Sequence, residues 1–487
     1  MKRPVAVALI LAGCGPAGDP REPSLVLYVV DTLRADRLGA YGYGGETSPR
    51  FDDVSSEEGV LFERCWTTGP WTLPAMASLW SGVHPWTHQV LDRGRTLDLA
   101  QRPWPARLAE AGYQNAAFVS NPIAGSLTGV PELFEVYRER GYTADGSVPG
   151  TERGARNADA AAARAWLAGR DDPRPMFLWI HTVEPHIPYT PEPSHVRGDV
   201  NADQALGLNT RLLYFQKRSR RPQSADVART ERDPELEELR AGLLAERARI
   251  DALYDSEVRR ADQEWGATVE ALRASGDWDD SWVVFTSDHG EELFDHDYLL
   301  HGQSVYDELL RVPLWIKGPA GSRAGRARVG ASTVDLAPTI AALFGLPADE
   351  RWEGHSLLPW LDDPQRPADP ARVAIANRID RELQDPFALA RNGTRELAWR
   401  AGVWKLIWRG PDEPAALFNW VADPREQRDL SAQQAERAAD LGAEVDAWLT
   451  AREGDLGWSR AAAALGAGQQ AVLEDLGYAD GPAPGDR

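Results

Sequence analysis

Short apolar runs that each end in polar side chains constrain the fold of this chain most strongly. The first run, Ser24–Val30, is rich in β-branched residues and leads directly into Asp31. Similar runs follow at 116–120, 176–181 and 282–287. Such runs are typical of strands that are buried on both faces of a parallel sheet. Helical patterns between them, at 103–111 and 157–167, favour a three-layer α/β domain.

Polar side chains follow these runs at the point where each predicted strand ends. They are Asp31, Asn121, His181, His186, Asp288 and His289. In parallel α/β sheets, functional residues collect beyond the carboxyl ends of the strands. The sequence therefore predicts one functional site at this edge of the sheet.

The net charge and the cysteine content narrow the class of protein. The 487 residues include 53 basic and 74 acidic side chains, which gives a formal charge of −21. A chain this acidic repels phosphate backbones, so we predict no nucleic-acid binding. Two cysteines, Cys14 and Cys65, are too few for a disulfide framework in a chain of this length.

Residues 1–14 have the pattern of a secretory signal peptide. Lys2 and Arg3 precede an apolar run at 5–11, which is too short to span a bilayer, and small residues lead up to Cys14. This ending resembles the lipobox of bacterial lipoproteins, which implies that Cys14 becomes the lipidated first residue. The alternative is a plain signal peptide with an incidental cysteine.

The expected location follows from that resemblance. Residues 15–23 would form a tether, and the protein would be lipid-anchored in the bacterial cell envelope, facing the periplasm or the exterior. No other stretch is apolar over the length of a membrane-spanning helix, so the lipid would be the only membrane contact.

The rest of the chain divides into a large and a small part. We assign 24–370 to a catalytic domain, interrupted at about 196–233 by a polar segment that we expect to be a solvated loop. Residues 371–455 contain short strand-like pieces and an acidic helix, which predict a small α+β subdomain. The Ala- and Gly-rich end, 456–487, is expected to be a loosely held tail.

Thr72 begins a helical pattern that has a proline in its first turn. A threonine in this place is ordinarily a helix N-cap. The alternative is a nucleophile, because a helix N-terminus favours a developing alkoxide and a bound oxyanion. The local sequence alone is compatible with both roles.

Other side chains suit metal binding and proton transfer. Asp288 and His289 offer a carboxylate and an imidazole side by side, a set that suits Zn²⁺ or Mn²⁺ better than Ca²⁺. His181 and His186 lie in a proline-punctuated loop, and His301 follows further along the chain. Two histidines five residues apart in such a loop are not expected to be core residues.

In their order and context, these segments resemble the sulfatase family of the alkaline phosphatase superfamily. The resemblance rests on VDTLRADRLG at 30–39, WTLPAMASLWSG at 71–82, SDHGEE at 287–292 and YDELLRVPL at 306–314, with weaker markers at 254–258, 404–407, 417–426 and 476–478. It implies an alkaline-phosphatase-like three-layer sandwich with a small C-terminal α+β subdomain, and it implies hydrolysis of anionic esters.

The chain departs from the family at several positions. Sulfatases in the strict sense carry, at the position of Thr72, a Cys or Ser that is oxidised to formylglycine, and they carry Arg at the position of Met76. Thr cannot be oxidised to that aldehyde. Thr32 replaces a second Asp ligand, Asn121 lies where the family has a Lys-x-His pair, and Gln303 lies where Lys is common. Three cations that would hold a sulfate are thus absent from the motifs.

The residues that remain resemble the one-metal site of phosphoethanolamine transferases and lipoteichoic acid synthases, which use Thr as the nucleophile. The resemblance implies that Asp31, Thr72, Asp288 and His289 hold one divalent metal ion, with Zn or Mn favoured and Ca compatible. Metal activation would make the Thr72 hydroxyl a competent nucleophile.

The same resemblance suggests roles for the remaining candidates. His186 would bind a non-bridging oxygen, and His181 or His301 would protonate the leaving group. Asn121 and Gln303 are predicted to bind substrate.

Two functions remain open at this stage. The first is a metal-dependent hydrolase or transferase of sulfate or phosphate esters, whose substrate is a sulfated or phosphorylated glycan, a lipid head group or a small molecule. The second is a catalytically impaired relative that acts as a lipid-anchored binding protein, because three expected cations are missing.

Overall fold

The fold is that of a computed structural model, which describes residues 22–140, 158–190, 200–219, 234–369, 372–379, 395–411, 413–452, 458–463, 465–476 and 478. The predicted signal peptide, Cys14 and most of the predicted tether lie outside the described residues.

The strands, in chain order, are β1 (Ser24–Val30), β2 (Val60–Trp66), β3 (Arg95–Leu97), β4 (Gln114–Val119), β5 (Val136–Glu139), β6 (Met176–Thr182), β7 (Ser281–Ser287), β8 (Glu292–Leu293), β9 (Leu299–Leu300), β10 (Arg311–Lys317), β11 (Gly325–Ser332), β12 (Val373–Ile379), β13 (Arg395–Ala401), β14 (Trp404–Trp408), β15 (Ala416–Asn419) and β16 (Ser459–Ala461).

The α-helices are α1 (Pro49–Glu57), α2 (Thr72–Ser81), α3 (Pro85–His88), α4 (Trp104–Glu110), α5 (Ala158–Gly169), α6 (Ala202–Ser219), α7 (Pro234–Leu244), α8 (Arg247–Ser275), α9 (Asp307–Leu310), α10 (Leu336–Leu343), α11 (Leu358–Asp362), α12 (Ala435–Thr450) and α13 (Ala467–Asp475). Short 3₁₀ turns lie at Ala35–Arg37, Gly39–Tyr41, Leu99–Gln101, Pro131–Leu133 and Thr333–Asp335.

An eight-stranded sheet in the order β11-β2-β10-β7-β1-β6-β4-β5 forms the centre of the molecule. Strand β1 pairs in parallel with β6 and β7, and β4 pairs in parallel with β5 and β6. Only β10 runs antiparallel to its neighbours β2 and β7 among the described strands of this sheet. The four strands that carry the predicted site residues, β7, β1, β6 and β4, are consecutive neighbours, so their carboxyl ends meet.

Helices cover both faces of the sheet because side chains along a strand alternate between the two faces. On β1, Leu25, Leu27 and Val29 pack in one core with residues of α2, α4 and α10. Val26, Tyr28 and Val30 pack in a second core with residues of α5 and α8. These two cores confirm the predicted three-layer α/β domain.

The small C-terminal subdomain is an antiparallel sheet in the order β12-β13-β14-β15. One face packs against α12 through Leu441, Val445 and Leu449. The other face packs against the part of the chain that contains the large sheet, near Trp66 and Leu309. This arrangement confirms the predicted α+β character of the subdomain.

Two expectations about irregular segments are wrong. The predicted solvated loop at 196–233 contains the 18-residue helix α6, which buries Leu208, Leu212 and Phe215 in the second core. The expected loose tail contains α13, which buries Val472 and Leu473. In both segments a few apolar side chains at helical spacing outweigh a polar or Ala-rich composition.

Among the described helices, none combines the length and the apolar character that crossing a membrane requires.

Candidate active site

Two carboxylates and an imidazole converge where β1 and β7 end. Val30 pairs with Ser287, so Asp31 and Asp288 leave the sheet side by side. One ligand atom from each of Asp31, Asp288 and His289 lies within 4.8 Å of the others, and all three residues are buried. The structure thus brings together three of the four predicted metal ligands around one point.

Thr72, the fourth, reaches the same point from the start of α2. Its Oγ1 lies 3.2 Å from Nε2 of His289. The N-cap position belongs to Trp71, which makes no side-chain capping hydrogen bond, so Thr72 is the first helical residue. The ordinary N-cap interpretation of Thr72 is therefore wrong, and its hydroxyl points into the site.

Cys65 is buried on β2, where burial raises the pKa of its thiol.

The backbone fixes the imidazole of His289. Its Nδ1 donates to the carbonyl of Gly290 at 2.7 Å, which leaves the lone pair of Nε2 facing the site. Nε2 lies 3.6 Å from both Asp31 Oδ1 and Asp288 Oδ2. A glycine must follow His289, because a Cβ at position 290 would lie 2.0 Å from the carbonyl oxygen of Glu308.

The carboxylate of Asp288 is held by the backbone of two segments. Its Oδ1 accepts from the amide of His289 at 2.8 Å and from the amide of Thr32 at 3.2 Å. Thr32 has φ 56°, a conformation that is costly for a β-branched residue. The hydroxyl of Tyr254 donates to the carbonyl of Thr32 at 2.7 Å and holds this turn in place. Local strain at Thr32 thus serves to position Asp288.

These residues fit a divalent cation. Asp288 Oδ2 is buried and has no hydrogen-bond partner among the described residues. Two buried carboxylates whose oxygens lie within 4.8 Å of each other are costly unless a positive charge offsets them. Carboxylate and imidazole donors with a hydroxyl beside them suit Zn²⁺ or Mn²⁺.

Asn121 lies beside the carboxylate of Asp31. Its Nδ2 donates to Asp31 Oδ2 at 2.7 Å, and its Oδ1 accepts from the amide of Ile123 at 3.0 Å. The amide group therefore orients Asp31 from its position beside the site. The substrate-binding role of Asn121 stays a prediction.

His181 and Gln303 differ in their hydrogen bonding within the protein. His181 is the penultimate residue of β6, and both of its ring nitrogens are buried without a hydrogen-bond partner among the described residues. Burial lowers the pKa of His181 to about 4, so the ring is neutral at pH 7 and is a poor proton donor. The amide nitrogen of Gln303 donates to the carbonyl of Leu299 at 2.8 Å.

His186 and His301 belong to a second cluster beside the first. The rings of His301 and His289 lie 4.8 Å apart, and those of His301 and His186 lie 5.0 Å apart. Glu291 Oε1 accepts from His301 Nδ1 at 2.8 Å. The hydroxyl of Tyr478 lies 3.0 Å from His186 Nε2 and 3.4 Å from His301 Nε2.

Sequence reasoning overlooked Glu291 and Tyr478 as site residues. Glu291 lies two positions after His289, within the segment SDHGEE at 287–292. Its closeness to the end of the predicted strand at 282–287 could have suggested a role in the site. Tyr478 lies near the end of the chain, in a segment that resembled the family only as a chain-end marker. No local pattern marks it as part of the site.

The fold and the candidate site together define an α/β ester hydrolase of the alkaline phosphatase superfamily. The defining features are the large sheet, the carboxylates of Asp31 and Asp288 at its strand ends, and the Thr72 hydroxyl at the start of a helix. The Sulfatase family model matches residues 23–346. The chain therefore belongs to the sulfatase family.

Similarities in sequence and in structure to known proteins support this assignment. The N-acetylglucosamine-6-O-sulfatase of Bacteroides thetaiotaomicron is 23% identical, and the alignment covers 89% of this chain and 88% of that protein. Arylsulfatase K of Xenopus laevis is 25% identical over 87% of this chain and 82% of its own length. A solved protein in complex with its substrate, D-glucosamine-2-N,6-O-disulfate, superposes with a TM-score of 0.69 at 21% identity, covering 89% of this chain and 99% of that chain.

Proposed function

We propose that this protein hydrolyses sulfate esters of sugars, with Thr72 as the nucleophile and a divalent cation held by Asp31, Asp288 and His289. The observation that carries the proposal is the 3.2 Å contact between Thr72 Oγ1 and His289 Nε2, within the group of carboxylates. The sugar sulfate follows from the relatives, one of which is an N-acetylglucosamine-6-O-sulfatase.

The cation and the residues of the chain contribute different parts of the proposed chemistry. When bound, a divalent cation supplies positive charge and Lewis acidity beside the nucleophile and the ester oxygens. The chain places Thr72 at the N-terminus of α2, where the helix dipole favours negative charge on its oxygen. Asn121 and the Thr32 turn hold Asp31 and Asp288 in fixed orientations.

The reaction is a two-step displacement at sulfur. Thr72 Oγ attacks the sulfur as the bond from sulfur to the sugar oxygen breaks, which forms a sulfated Thr72 and releases the sugar alcohol. Thr72 gives up its hydroxyl proton in the first step, and the departing sugar oxygen takes up one proton; His301, whose Nδ1 is held by Glu291 Oε1 at 2.8 Å, is the proposed donor in its protonated form. Water then cleaves the sulfated Thr72, which restores the Thr72 hydroxyl and releases sulfate.

A phosphate or phosphonate ester is the second candidate substrate, favoured by the threonine at the nucleophile position. A phosphonate monoester hydrolase of Agrobacterium radiobacter superposes with a TM-score of 0.66 at 21% identity, over 88% of this chain and 96% of that chain. The catalytically impaired alternative is not favoured, because the relatives are hydrolases and the proposed cation ligands and Thr72 are grouped together.

A panel of substrates tests the proposal. Protein lacking residues 1–14 is purified, its metal content is measured, and it is assayed with N-acetylglucosamine 6-sulfate, aryl sulfates, aryl phosphate mono- and diesters and phosphonates. We expect bound Zn or Mn and the highest kcat/KM on the sugar sulfate. Higher kcat/KM on a phosphorus ester would favour the second candidate, and absence of both metal and turnover would contradict the proposal.

The cell envelope is the proposed location, on the strength of the lipobox resemblance at Cys14. Metabolic labelling with a fatty acid, compared between wild type and Cys14→Ser, tests it: label lost with the substitution supports the anchor, and no label in wild type contradicts it.

A further inference from the structure

A short β-hairpin, formed by β8 and β9, carries two residues of the site at its base. The two strands pair in antiparallel fashion. Glu291 directly precedes β8 and His301 directly follows β9. The 2.8 Å contact between Glu291 Oε1 and His301 Nδ1 therefore lies at the base of the hairpin. The position of His301, the proposed proton donor, depends on how the hairpin is held.

His296 lies in the turn of this hairpin, where its ring contacts oxygen atoms on both sides. Its Nδ1 lies 2.5 Å from Glu308 Oε1, and its Nε2 lies 3.0 Å from the carbonyl oxygen of Glu426. The ring also stacks on that of Tyr306, with the centroids 3.7 Å apart and the planes 2° apart. His296 thereby joins the hairpin turn to α9 and to the segment that follows β15.

The contacts of His296 fit an imidazolium ion. A carbonyl oxygen and a carboxylate both accept hydrogen bonds, so each ring nitrogen must carry a proton to bond to Glu426 and Glu308. The side-chain amide of Gln427 also lies 3.2 Å from Nε2, and its two hydrogens have acceptors in two other carbonyls at 3.0 and 3.4 Å. Burial lowers the pKa of His296, but the hydrogen bond and the charge of Glu308 outweigh it, so the pKa is raised above its ordinary value.

The hairpin turn packs among charged groups from several elements. They are Asp295 in the turn, Asp307 and Glu308 on α9, Arg400 on β13, Lys405 on β14 and Glu426 after β15. Arginine or lysine side chains pair with the carboxylates of Asp295, Asp307 and Glu426 at 2.7, 3.2 and 2.6 Å, respectively. In the described part of the chain, the ion-pair partner of Glu308 is His296. A buried carboxylate is costly without a positive charge, and the His296 imidazolium supplies it.

Helix α9 connects this contact both to the base of the hairpin and to the C-terminal subdomain. The amide of Gly290 donates to the carbonyl of Leu309 on α9 at 2.7 Å. Asp307, at the start of α9, forms ion pairs with Arg400 and, at 3.2 Å, with Lys405, both of which lie in the subdomain sheet. The helix is therefore a fixed support against which the hairpin rests.

We propose that His296 is a positioning residue that, as an imidazolium ion, holds the hairpin against α9 and the C-terminal subdomain and so fixes Glu291 and His301 in the site. The contribution of His301 to the reaction rests on the proposed function, whereas the contact that holds the hairpin does not. A neutral ring carries one proton and can bond to only one of its two acceptors. The contact should therefore be complete when His296 is protonated and should weaken as the pH rises through its raised pKa.

Two variants separate the charge of His296 from its shape. His296→Gln keeps an amide donor and removes the charge, whereas His296→Arg keeps a planar cation that does not titrate. His84→Gln is the matched control, because His84 is also buried and its Nδ1 lies 3.0 Å from Glu353 Oε2, in a contact outside the hairpin. Hydrogen exchange of the peptides that cover 291–304, expressed as protection factors at pH 6 and pH 9, reports on the hairpin without any substrate.

At pH 6 we expect His296→Gln to lower the protection of 291–304 by about tenfold or more, the effect of losing a hydrogen bond between charged groups. Wild type should lose protection between pH 6 and pH 9, and His296→Arg should keep it at both values. His84→Gln should match wild type over this segment. Wild-type protection in His296→Gln, an equal loss in His84→Gln, or wild-type protection that does not change with pH would overturn the inference.

Kinetics at pH 6 on N-acetylglucosamine 6-sulfate test the effect on the reaction. We expect His296→Gln to lower kcat by about 10- to 100-fold with KM changed by less than about twofold, because a displaced proton donor affects the chemical step. His296→Arg should restore kcat. Unchanged kcat in His296→Gln, despite lost protection, would overturn the positioning role. If wild type turns over no sulfate, the proposed function fails, and the exchange measurements still decide whether His296 holds the hairpin.

Discussion

The hydroxyl of Thr72 and the Nε2 of His289 lie 3.2 Å apart although the two residues are 217 positions apart in the chain. One stands at the start of a helix that follows β2, and the other follows β7. Strand β10 lies between β2 and β7 in the sheet, so the contact depends on tertiary structure. It joins the proposed nucleophile to the proposed cation ligands.

Removing one carboxylate should abolish tight metal binding. Asp288→Asn keeps the size of the side chain but removes its charge from a buried pair of carboxylates. We expect the affinity for Zn²⁺ or Mn²⁺ to fall by about 100-fold or more, beyond the effect of losing an outer-shell contact. Metal content after dialysis measures this. Asp172→Asn, in the segment before β6 where Asp172 pairs with Arg174 at 2.7 Å, should bind metal as wild type does, and wild-type metal content in Asp288→Asn would contradict the assignment.

Asn121 should affect metal binding without being a ligand. Its amide orients Asp31 through a 2.7 Å hydrogen bond, so Asn121→Ala should weaken metal affinity by about 10- to 100-fold. Asn115→Ala is the matched control, because Asn115 is equally buried near the other end of β4 and donates to the carbonyls of Pro105 and Leu133. Competition with a chromogenic chelator gives both affinities. An equal loss of affinity in the two variants would mean that general destabilisation explains the effect.

Gly290 should tolerate no side chain. A Cβ at this position would lie 2.0 Å from a backbone oxygen of Glu308, which cannot rotate away. Gly290→Ala should therefore lower the free energy of unfolding by about 1–3 kcal/mol and displace His289. Urea unfolding measures it. Gly207→Ala, in helix α6 with open space around it, should be neutral or slightly stabilising, and a similar loss there would remove the steric explanation.

The stability of the protein should depend on pH through His88. Burial lowers the pKa of His88 to about 3, while an unfolded histidine titrates near 6.5. Between these values the unfolded chain binds a proton that the folded chain does not, so stability is complete above about pH 6.5 and falls as the pH is lowered. At pH 5 the loss is about 2 kcal/mol.

Urea unfolding at pH 5 and pH 7.5 tests this dependence, with His88→Leu as the comparison. The variant loses the contact of His88 Nε2 with Ser78 Oγ at 3.0 Å, so it should be less stable at pH 7.5. Its free energy of unfolding should change less between the two pH values than that of wild type. An identical pH dependence in both proteins would show that other groups cause it.

The fold and the centre of the site were predictable because both depend on local patterns. The apolar runs before Asp31 and Asp288 mark buried strands, and parallel strands place their ends together. The helix pattern after Thr72 fixes the direction from which its hydroxyl enters. These features need only strand and helix periodicity.

The outer part of the site could not be predicted, because it depends on packing between distant segments. Tyr478 reaches His186 only because α13 packs against the first core, and the Ala-rich composition of that segment suggested a loose tail. Asn121 has the same chemistry as a substrate ligand, and only its distance to Asp31 shows that it orients a carboxylate. Helix α6 was missed because its few apolar residues are dispersed among polar ones.

The kcat/KM of Thr72→Ala for N-acetylglucosamine 6-sulfate, measured together with bound metal, tests the central claim most directly. We predict that the variant retains metal through Asp31, Asp288 and His289 while kcat/KM falls by about a thousandfold or more, the scale seen when a nucleophile is removed. Thr72→Ser, which keeps a hydroxyl, should retain measurable turnover. Wild-type kcat/KM in Thr72→Ala at equal metal content would contradict the account.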